Sequence, residues 1–289
     1  MRIIKITILL LVTIFCFSRC HQPKETKQPL VKNKSTPKKR IAPASIGYHF
    51  EKSKTWLKKN AAQQQQNIVQ AVNRTDSSHL AKMDSILIPN DLSGDLEYYL
   101  PFPFSVPYLK DIKKVIFFSY AAQSFGAYEW GELTYTGQTN MGRKTDPTPT
   151  GLYYTNWKAE KTTSTFNDEW DLRWNFNIEN KLGIGFHQYE LPGYPASHSC
   201  LRLTEKDAKY LYDWADQWIL EGKDSVKVMG TPVIVFGSYD FNGPKPWLQL
   251  VNNPHVLDIP AAVIQQQAMP FLQEIINEQA KRDAVAEEK

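Results

Sequence analysis

A group of polar side chains around one cysteine is the feature of this sequence that could do chemistry. Ser197, His198 and Ser199 come directly before Cys200, and His187 lies further upstream. A core cysteine behaves as a small hydrophobe, so neighbours this polar are more typical of a working thiol. A thiol attacks as its thiolate, and an imidazole that accepts the proton favours that form. The residues alone leave both histidines open as the base.

The other two cysteines belong to a segment with the features of an export signal. Arg2 and Lys5 precede an apolar run over residues 6–17, and Cys16 lies inside this run. A basic start followed by a short apolar run predicts a secretory signal over residues 1–20. The run is shorter than the roughly 20 apolar residues that a membrane-spanning helix needs.

Cys20 closes this segment and resembles the lipidation site of a bacterial lipoprotein. The match is imperfect because Arg19 stands where such signals carry a small residue. Ordinary signal cleavage and an uncleaved anchor are the alternatives. Exported thiols tend to be oxidised in pairs. If Cys20 carries lipid, Cys200 is left as a single thiol, either buried and inert or chemically active.

The positive charge of the chain is concentrated near its start. The formal net charge is +4, whereas residues 1–20 carry +3 and residues 21–40 carry +6, with Glu25 as the one acidic residue among these forty. Residues 21–45 predict a solvated basic tether, which either touches anionic lipid or wall polymer or simply aids solubility. The remainder is mildly acidic, which argues against a nucleic-acid-binding domain.

The middle of the chain is rich in β-strand patterns. Apolar and β-branched runs predict strands, and Gly131 predicts a hairpin turn between two of them. One helix interrupts them, because Thr204 and Asp207 resemble a capping box before an amphipathic stretch. These patterns predict a mainly β domain over 111–242 with one inserted helix.

Helical segments flank this domain on both sides. Residues 46–110 predict a small helical segment, with a helix from Glu51 to Val72, and the stretch ending in Ile88 and Pro89 has a weak LysM-like resemblance. The alternative for it is a plain packing subdomain. Residues 243–289 predict a helical extension that either packs on the domain or reaches a partner.

Separated motifs around the cysteine resemble those of the L,D-transpeptidases, the YkuD-like family. The string FHQYELPGYPASHSCLRL carries the family's order of an upstream His, a loop, Ser-His-x-Cys, an apolar residue and Arg. Thr-Pro-Thr-Gly at 148–151 and the strand GTPVIVFG at 230–237 match further family motifs. Two departures are Ser199 in the place of the usual Gly and a shorter gap between His187 and Ser197. The resemblance implies a β-sandwich or barrel-like fold.

The resemblance also implies roles for individual residues. Cys200 would be the nucleophile and His187 the base and acid, oriented by the backbone carbonyl of Gln188. The backbone N–H groups of residues 198–200 would form the oxyanion hole. Arg202 would bind a substrate carboxylate or form an internal salt bridge. Tyr189 and Tyr194 would line the cleft.

The implied reaction is acyl transfer on peptidoglycan stem peptides, which makes 3-3 crosslinks or attaches a group to the wall. A hydrolase of the same acyl-enzyme, which trims stems or releases wall-linked protein, is one alternative. A wall-binding lipoprotein with a degenerate domain is the other, and Ser199 supports it. We expect no cofactor, no metal site and no nucleic acid partner, and a location in the cell envelope on the periplasmic side, with a lipid anchor. Protein partners stay open.

Overall fold

The computed structural model describes residues 38–59, 62–163, 171–223 and 225–288. The predicted signal with Cys20 lies outside these ranges, as does most of the predicted tether over 21–45. Among the described residues, no helix has both the length and the apolar composition needed to cross a membrane.

The described residues form thirteen strands and six α-helices. The strands are β1 (Tyr48–Lys52), β2 (Ser85–Pro89), β3 (Val115–Ser119), β4 (Ser124–Glu129), β5 (Glu132–Gln138), β6 (Gly151–Tyr154), β7 (Lys158–Thr163), β8 (Asp171–Glu179), β9 (Ile184–Gln188), β10 (Leu201–Leu203), β11 (Ile219–Glu221), β12 (Ser225–Val228) and β13 (Pro232–Phe236). The helices are α1 (Ser53–Lys59), α2 (Gln63–Val72), α3 (Ser77–Leu80), α4 (Glu205–Trp214), α5 (Ala261–Ala268) and α6 (Leu272–Glu287).

Two larger sheets hold the centre of the fold. One has five strands in the order β5-β4-β3-β13-β6, and the other has four in the order β10-β9-β8-β7. Ile116 and Val233 of the first sheet belong to the same buried core as Phe186 and Leu201 of the second. Leu211 of α4 packs into this core as well. The mainly β fold with one inserted helix, predicted from the sequence, is therefore confirmed.

The five-stranded sheet is buried on both faces. Its central strands β3 and β13 run parallel, and every residue in both is buried. Phe117 and Ile234 face away from the second sheet and pack with Ile264 and Ile275 of the C-terminal helices. Strands covered on both faces have continuous apolar runs in place of alternation. The extension over 243–289 thus packs on the domain, which answers a question that the sequence left open.

Two local predictions are also confirmed. Trp130 and Gly131 form the two-residue turn between β4 and β5, with φ angles of 52° and 80°. Positive φ at both positions is typical of the type I′ hairpin turn. Thr204 caps α4, because its hydroxyl oxygen accepts from the backbone N–H of Asp207 at 3.2 Å.

The N-terminal flank corrects one prediction. The helix expected from Glu51 to Val72 begins later and is present as two helices, since β1 continues to Lys52, α1 covers Ser53–Lys59 and α2 covers Gln63–Val72. β1 pairs antiparallel with β2, with Tyr48 opposite Pro89. The first two residues of the predicted helix, Glu51 and Lys52, therefore belong to a sheet. The LysM-like resemblance of this segment stays a prediction.

Candidate active site

Cys200 and His187 lie on the same face of the four-stranded sheet. Cys200 directly precedes β10, which runs parallel to β9 with Arg202 opposite His187. Side chains alternate between the faces of a strand. Phe186 and Leu201 are fully buried in the core between the sheets. Cys200, Arg202 and His187 therefore project from the opposite face, towards the loop between the two strands.

His187 is held as a neutral imidazole. Its side chain is 4% exposed, and burial is the main cause that lowers its pKa to about 4, with Arg202 acting in the same direction and Gln188 against it. Nδ1 lies 3.0 Å from the carbonyl oxygen of Gln188. A carbonyl oxygen only accepts hydrogen bonds, so Nδ1 carries the proton and Nε2 keeps its lone pair. This is the protonation state that a general base requires.

Cys200 is a protonated thiol at neutral pH. Burial raises its pKa, and the backbone of Gly185 and the charge of Arg202 offset only part of that effect. Sγ lies 3.7 Å from the carbonyl oxygen of Gly183, which is the hydrogen-bond contact of the thiol. A thiol in this state needs a base before it can attack.

His198 lies beside a charged pair in the loop that precedes β6. Burial and the charge of Arg143 lower its pKa, whereas Asp146 acts to raise it. Nε of Arg143 lies 2.5 Å from Oδ2 of Asp146. His198 therefore faces a different environment from His187, which is buried against the sheet.

Ser199 adopts a backbone conformation that favours glycine. Its φ angle is +76°, in the left-handed region that side chains with a Cβ rarely adopt. The hydroxyl donates to the carbonyl oxygens of Asp146 at 3.2 Å and Pro147 at 3.1 Å. Thr148 Oγ1 donates to the carbonyl of Ser199 at 2.9 Å. The serine thus has a backbone conformation that glycine favours, and its hydroxyl is hydrogen-bonded to the neighbouring loop.

The backbone of Ser197 is hydrogen-bonded, whereas two N–H groups nearer the thiol have no acceptor among the described residues. Ser197 is 1% exposed, its N–H donates to the carbonyl of Met141 and its carbonyl accepts from the N–H of Arg143. Among the described residues, no partner accepts from the backbone N–H of Ser199 or Cys200. Two adjacent N–H groups of this kind are what an oxyanion hole contains.

Arg202 has no carboxylate within ion-pair distance in the described part of the chain. Its guanidinium carbon lies 4.4 Å from the centre of the Tyr189 ring, and that ring packs edge-on against His187 at 5.9 Å. Burial lowers the pKa of Arg202, with Tyr189 as the largest opposing influence. The sequence left a salt bridge and a ligand contact open, and the described residues form no such salt bridge with Arg202.

Tyr194 lies at the exposed part of the loop between β9 and β10, with half of its surface exposed. Lys245 Nζ lies 5.6 Å from the centre of its ring. Lys245 is half-buried and makes no ion pair with any described residue, and burial lowers its pKa. Unpaired positive charges at Arg202 and Lys245 thus lie beside the two tyrosines of the loop.

Sequence analysis missed several residues that shape this site. Asn140 makes two hydrogen bonds to the loop between β9 and β10. Its Nδ2 donates to the carbonyl of Tyr194, and its Oδ1 accepts from the N–H of Ala196 at 3.1 Å. The polar pair Thr139-Asn140 directly after β5 is the sequence feature that could have indicated this role of Asn140. Lys245 had no local signal, because it comes from the C-terminal extension. In the described residues, no group of three or more His, Cys, Asp or Glu side chains is placed to hold a metal ion.

Comparison with known proteins finds a family match in the central part of the chain. Residues 113–235 match the family model of YkuD, the L,D-transpeptidase catalytic domain. The chain is similar to the solved structure of an L,D-transpeptidase from Stackebrandtia nassauensis, with 23% identity, 44% of this chain and 57% of that chain covered, and a TM-score of 0.36. A search of curated proteins gave no match.

Two further solved structures are similar to a comparable extent. An L,D-transpeptidase from Mycobacterium smegmatis shares 18% identity over 44% of this chain and 59% of that one, with a TM-score of 0.35. An L,D-transpeptidase from Mycobacterium tuberculosis H37Rv shares 21% identity over 44% of this chain and 58% of that one, with a TM-score of 0.35. The chain thus spans less than two thirds of the length of each. The family model confirms the resemblance that the histidine and cysteine motifs predict, and its match to the YkuD L,D-transpeptidase catalytic domain spans residues 113–235.

Proposed function

We propose that this chain is a peptidoglycan L,D-transpeptidase that forms 3-3 crosslinks through a thioester on Cys200. The observation that carries the proposal is the state of His187: a neutral imidazole, with Nδ1 on the carbonyl of Gln188, on the same sheet face as the cysteine. A protonated thiol and a neutral base form the pair that acyl transfer by cysteine needs.

The first half of the reaction forms the thioester. The thiol turns from the carbonyl of Gly183 towards His187, and Nε2 takes its proton. The sulfur then attacks the carbonyl carbon of the diamino acid of a donor stem, and the amide bond from this carbon to the terminal D-amino acid breaks as the thioester forms. The backbone N–H groups of Ser199 and Cys200, together with that of His198, receive the negative charge on the oxygen. His187 returns the proton to the amine of the departing D-amino acid.

The second half transfers the acyl group. The amine of a second stem attacks the thioester, His187 accepts a proton from this amine, and the sulfur leaves and recovers a proton. The products are a 3-3 crosslinked dimer and free Cys200. Arg202 and Lys245 supply positive charge for carboxylates of the stems, because neither has an acidic partner among the described residues.

We place this activity in the cell envelope, on the periplasmic side. The support is the signal pattern over residues 1–20 and the basic stretch after it. Lipid on Cys20 would hold the domain near the membrane, with residues 21–45 as the tether. Metabolic labelling with a palmitate analogue tests the anchor, since Cys20→Ala removes the label if Cys20 carries the lipid.

A product assay tests the proposal and separates it from its alternatives. The purified chain is incubated with disaccharide-tetrapeptide, and the products are resolved by mass spectrometry beside Cys200→Ala. A crosslinked dimer that needs Cys200 supports the transpeptidase. Trimmed monomer alone makes the chain a hydrolase of the same acyl-enzyme. Neither product means that the domain is degenerate and acts in wall binding.

A further inference from the structure

A cavity of about 400 Å³ lies outside the matched domain. Its lining comes from the N-terminal flank, from the stretch before β3 and from the stretch before α5. Aromatic and aliphatic side chains form its walls, among them Tyr98, Phe102, Phe104, Leu257 and Ile259. A volume of this size is within the range of ligand-binding pockets.

Arg74 lines this apolar cavity and is fully buried, with 1% of its surface exposed. Nε donates to the carbonyl of Ala122 at 2.6 Å, and Nη1 donates to the carbonyls of Ala71 and Val72. Trp247 lies beneath the guanidinium, 5.8 Å from its carbon. Nη2 has no hydrogen-bond partner in the described ranges, and no carboxylate there forms an ion pair with Arg74. Buried guanidinium groups usually have an anionic partner, because an unpaired buried charge is strongly unfavourable.

Tyr48 adds a second donor to the cavity lining. Its side chain is 7% exposed, and its hydroxyl makes no hydrogen bond with the described residues. Burial raises the pKa of Tyr48 to about 12, with Arg74 acting against the increase. The hydroxyl is therefore protonated and available to donate. Nη2 of Arg74 and the hydroxyl of Tyr48 are thus two donors of one cavity lining that have no partner among the described residues, and both can donate to an acceptor placed in the cavity.

The two acidic residues of the cavity each lie close to another side chain. Glu97 pairs with Lys38 and lies 3.7 Å from Nε of Arg40. Oδ2 of Asp258 lies 2.7 Å from Nδ1 of His255. Neither carboxylate forms an ion pair with Arg74 in the described ranges.

From these contacts we infer that the cavity is a binding site for a small carboxylate with an aromatic or aliphatic body. The carboxylate accepts from Nη2 of Arg74 and the hydroxyl of Tyr48, and the body packs between the apolar walls. A guanidinium and a phenol are both donors, so a neutral amide of the same shape fits less well. The site is separate from Cys200 and does not depend on the proposed transpeptidase reaction.

Calorimetric titration of the full chain with 2-naphthoate and its neutral counterpart 2-naphthamide tests this site. We expect the carboxylate to bind about tenfold more tightly than the amide, since hydrogen bonds to charged groups are the stronger ones. Tyr48→Phe removes a hydroxyl without a partner, so the fold should persist while the preference for the carboxylate decreases. Leu257→Trp fills the cavity from its wall and should abolish binding of both probes.

Arg202→Met serves as the matched control, because it removes an unpaired guanidinium at the cysteine site and should leave 2-naphthoate binding unchanged. Arg74→Met should abolish the preference for the carboxylate, but loss of its three carbonyl contacts endangers folding, so Tyr48→Phe and Leu257→Trp carry the test. Equal affinity for the two probes, no binding of either, or binding that survives Leu257→Trp overturns the inference.

Discussion

The imidazole of His187 turns Nδ1 to the carbonyl oxygen of Gln188 at 3.0 Å, which leaves Nε2 as its basic atom. The two residues are adjacent in β9, so the carbonyl that orients the ring belongs to the same strand. No side-chain carboxylate is needed to fix the tautomer. The charge of the imidazolium is then unsupported by an acidic partner, which agrees with the lowered pKa.

The first prediction concerns the base. His187→Ala should slow acylation of Cys200 about 100-fold or more, because general base catalysis contributes at least this much. His198→Ala should slow it less than about tenfold, since His198 contributes chiefly a backbone N–H. Stopped-flow or quenched acylation by a carbapenem, followed by intact mass, gives both rates. The reverse order of the two variants would transfer the role of base to His198.

The second prediction concerns stability and pH. The pKa of His187 is about 4 in the folded chain and near its ordinary value of 6.5 when unfolded. Between these values the unfolded chain binds more protons, so the free energy of unfolding should decrease as the pH falls from about 6.5 to about 4. The loss should be on the order of 3 kcal/mol from this group. Urea unfolding across this pH range measures it.

His187→Gln is the control for the second prediction. It removes the titrating ring and should flatten the dependence on pH in that window. An equally steep decrease in the variant would assign the effect to other groups.

The third prediction concerns Ser199. Ser199→Gly should keep acylation within about threefold of the wild type, because glycine adopts the same positive φ without strain. Ser199→Ala should be the less stable variant by about 1 kcal/mol, since it keeps the strain and loses the hydroxyl contacts with Asp146 and Pro147. Ser225→Ala, on an exposed strand, is the control. A large loss of activity in Ser199→Gly would show that the hydroxyl itself takes part.

The fourth prediction concerns the unpaired positive charges. Arg202→Met and Lys245→Gln should each raise the KM for a stem with free carboxylates about tenfold, and change the KM for an amidated stem much less. Lys209→Gln is the control, because Lys209 already pairs with Glu205 at 3.0 Å and belongs to α4. Equal effects on both stems would mean that these residues act through packing and not through charge.

The sequence was sufficient to predict the features that depend on local patterns. The capping box at Thr204, the turn at Gly131, and the apolar strands β3 and β13 are local features, and the structure contains each of them. The mainly β class follows from these same patterns.

The features that the sequence could not predict depend on contacts between distant segments. The predicted helix began at Glu51, inside β1, because the pairing of β1 with β2 joins segments that are distant in the sequence. Lys245 reaches Tyr194 from the C-terminal extension, and the cavity lined by Arg74 is built from both flanks. The φ angle of Ser199 also depends on its contacts with residues 146–148, so the sequence showed the departure from glycine but not its consequence.

The most direct test of the account is the mass of the protein after brief incubation with a tetrapeptide stem. We predict an adduct equal to the stem minus its terminal D-amino acid, which maps to Cys200, disappears in Cys200→Ala and forms far more slowly in His187→Ala. An unmodified wild-type chain, together with no labelling of Cys200 by a carbapenem, would contradict the proposal that Cys200 is an acyl-transfer nucleophile.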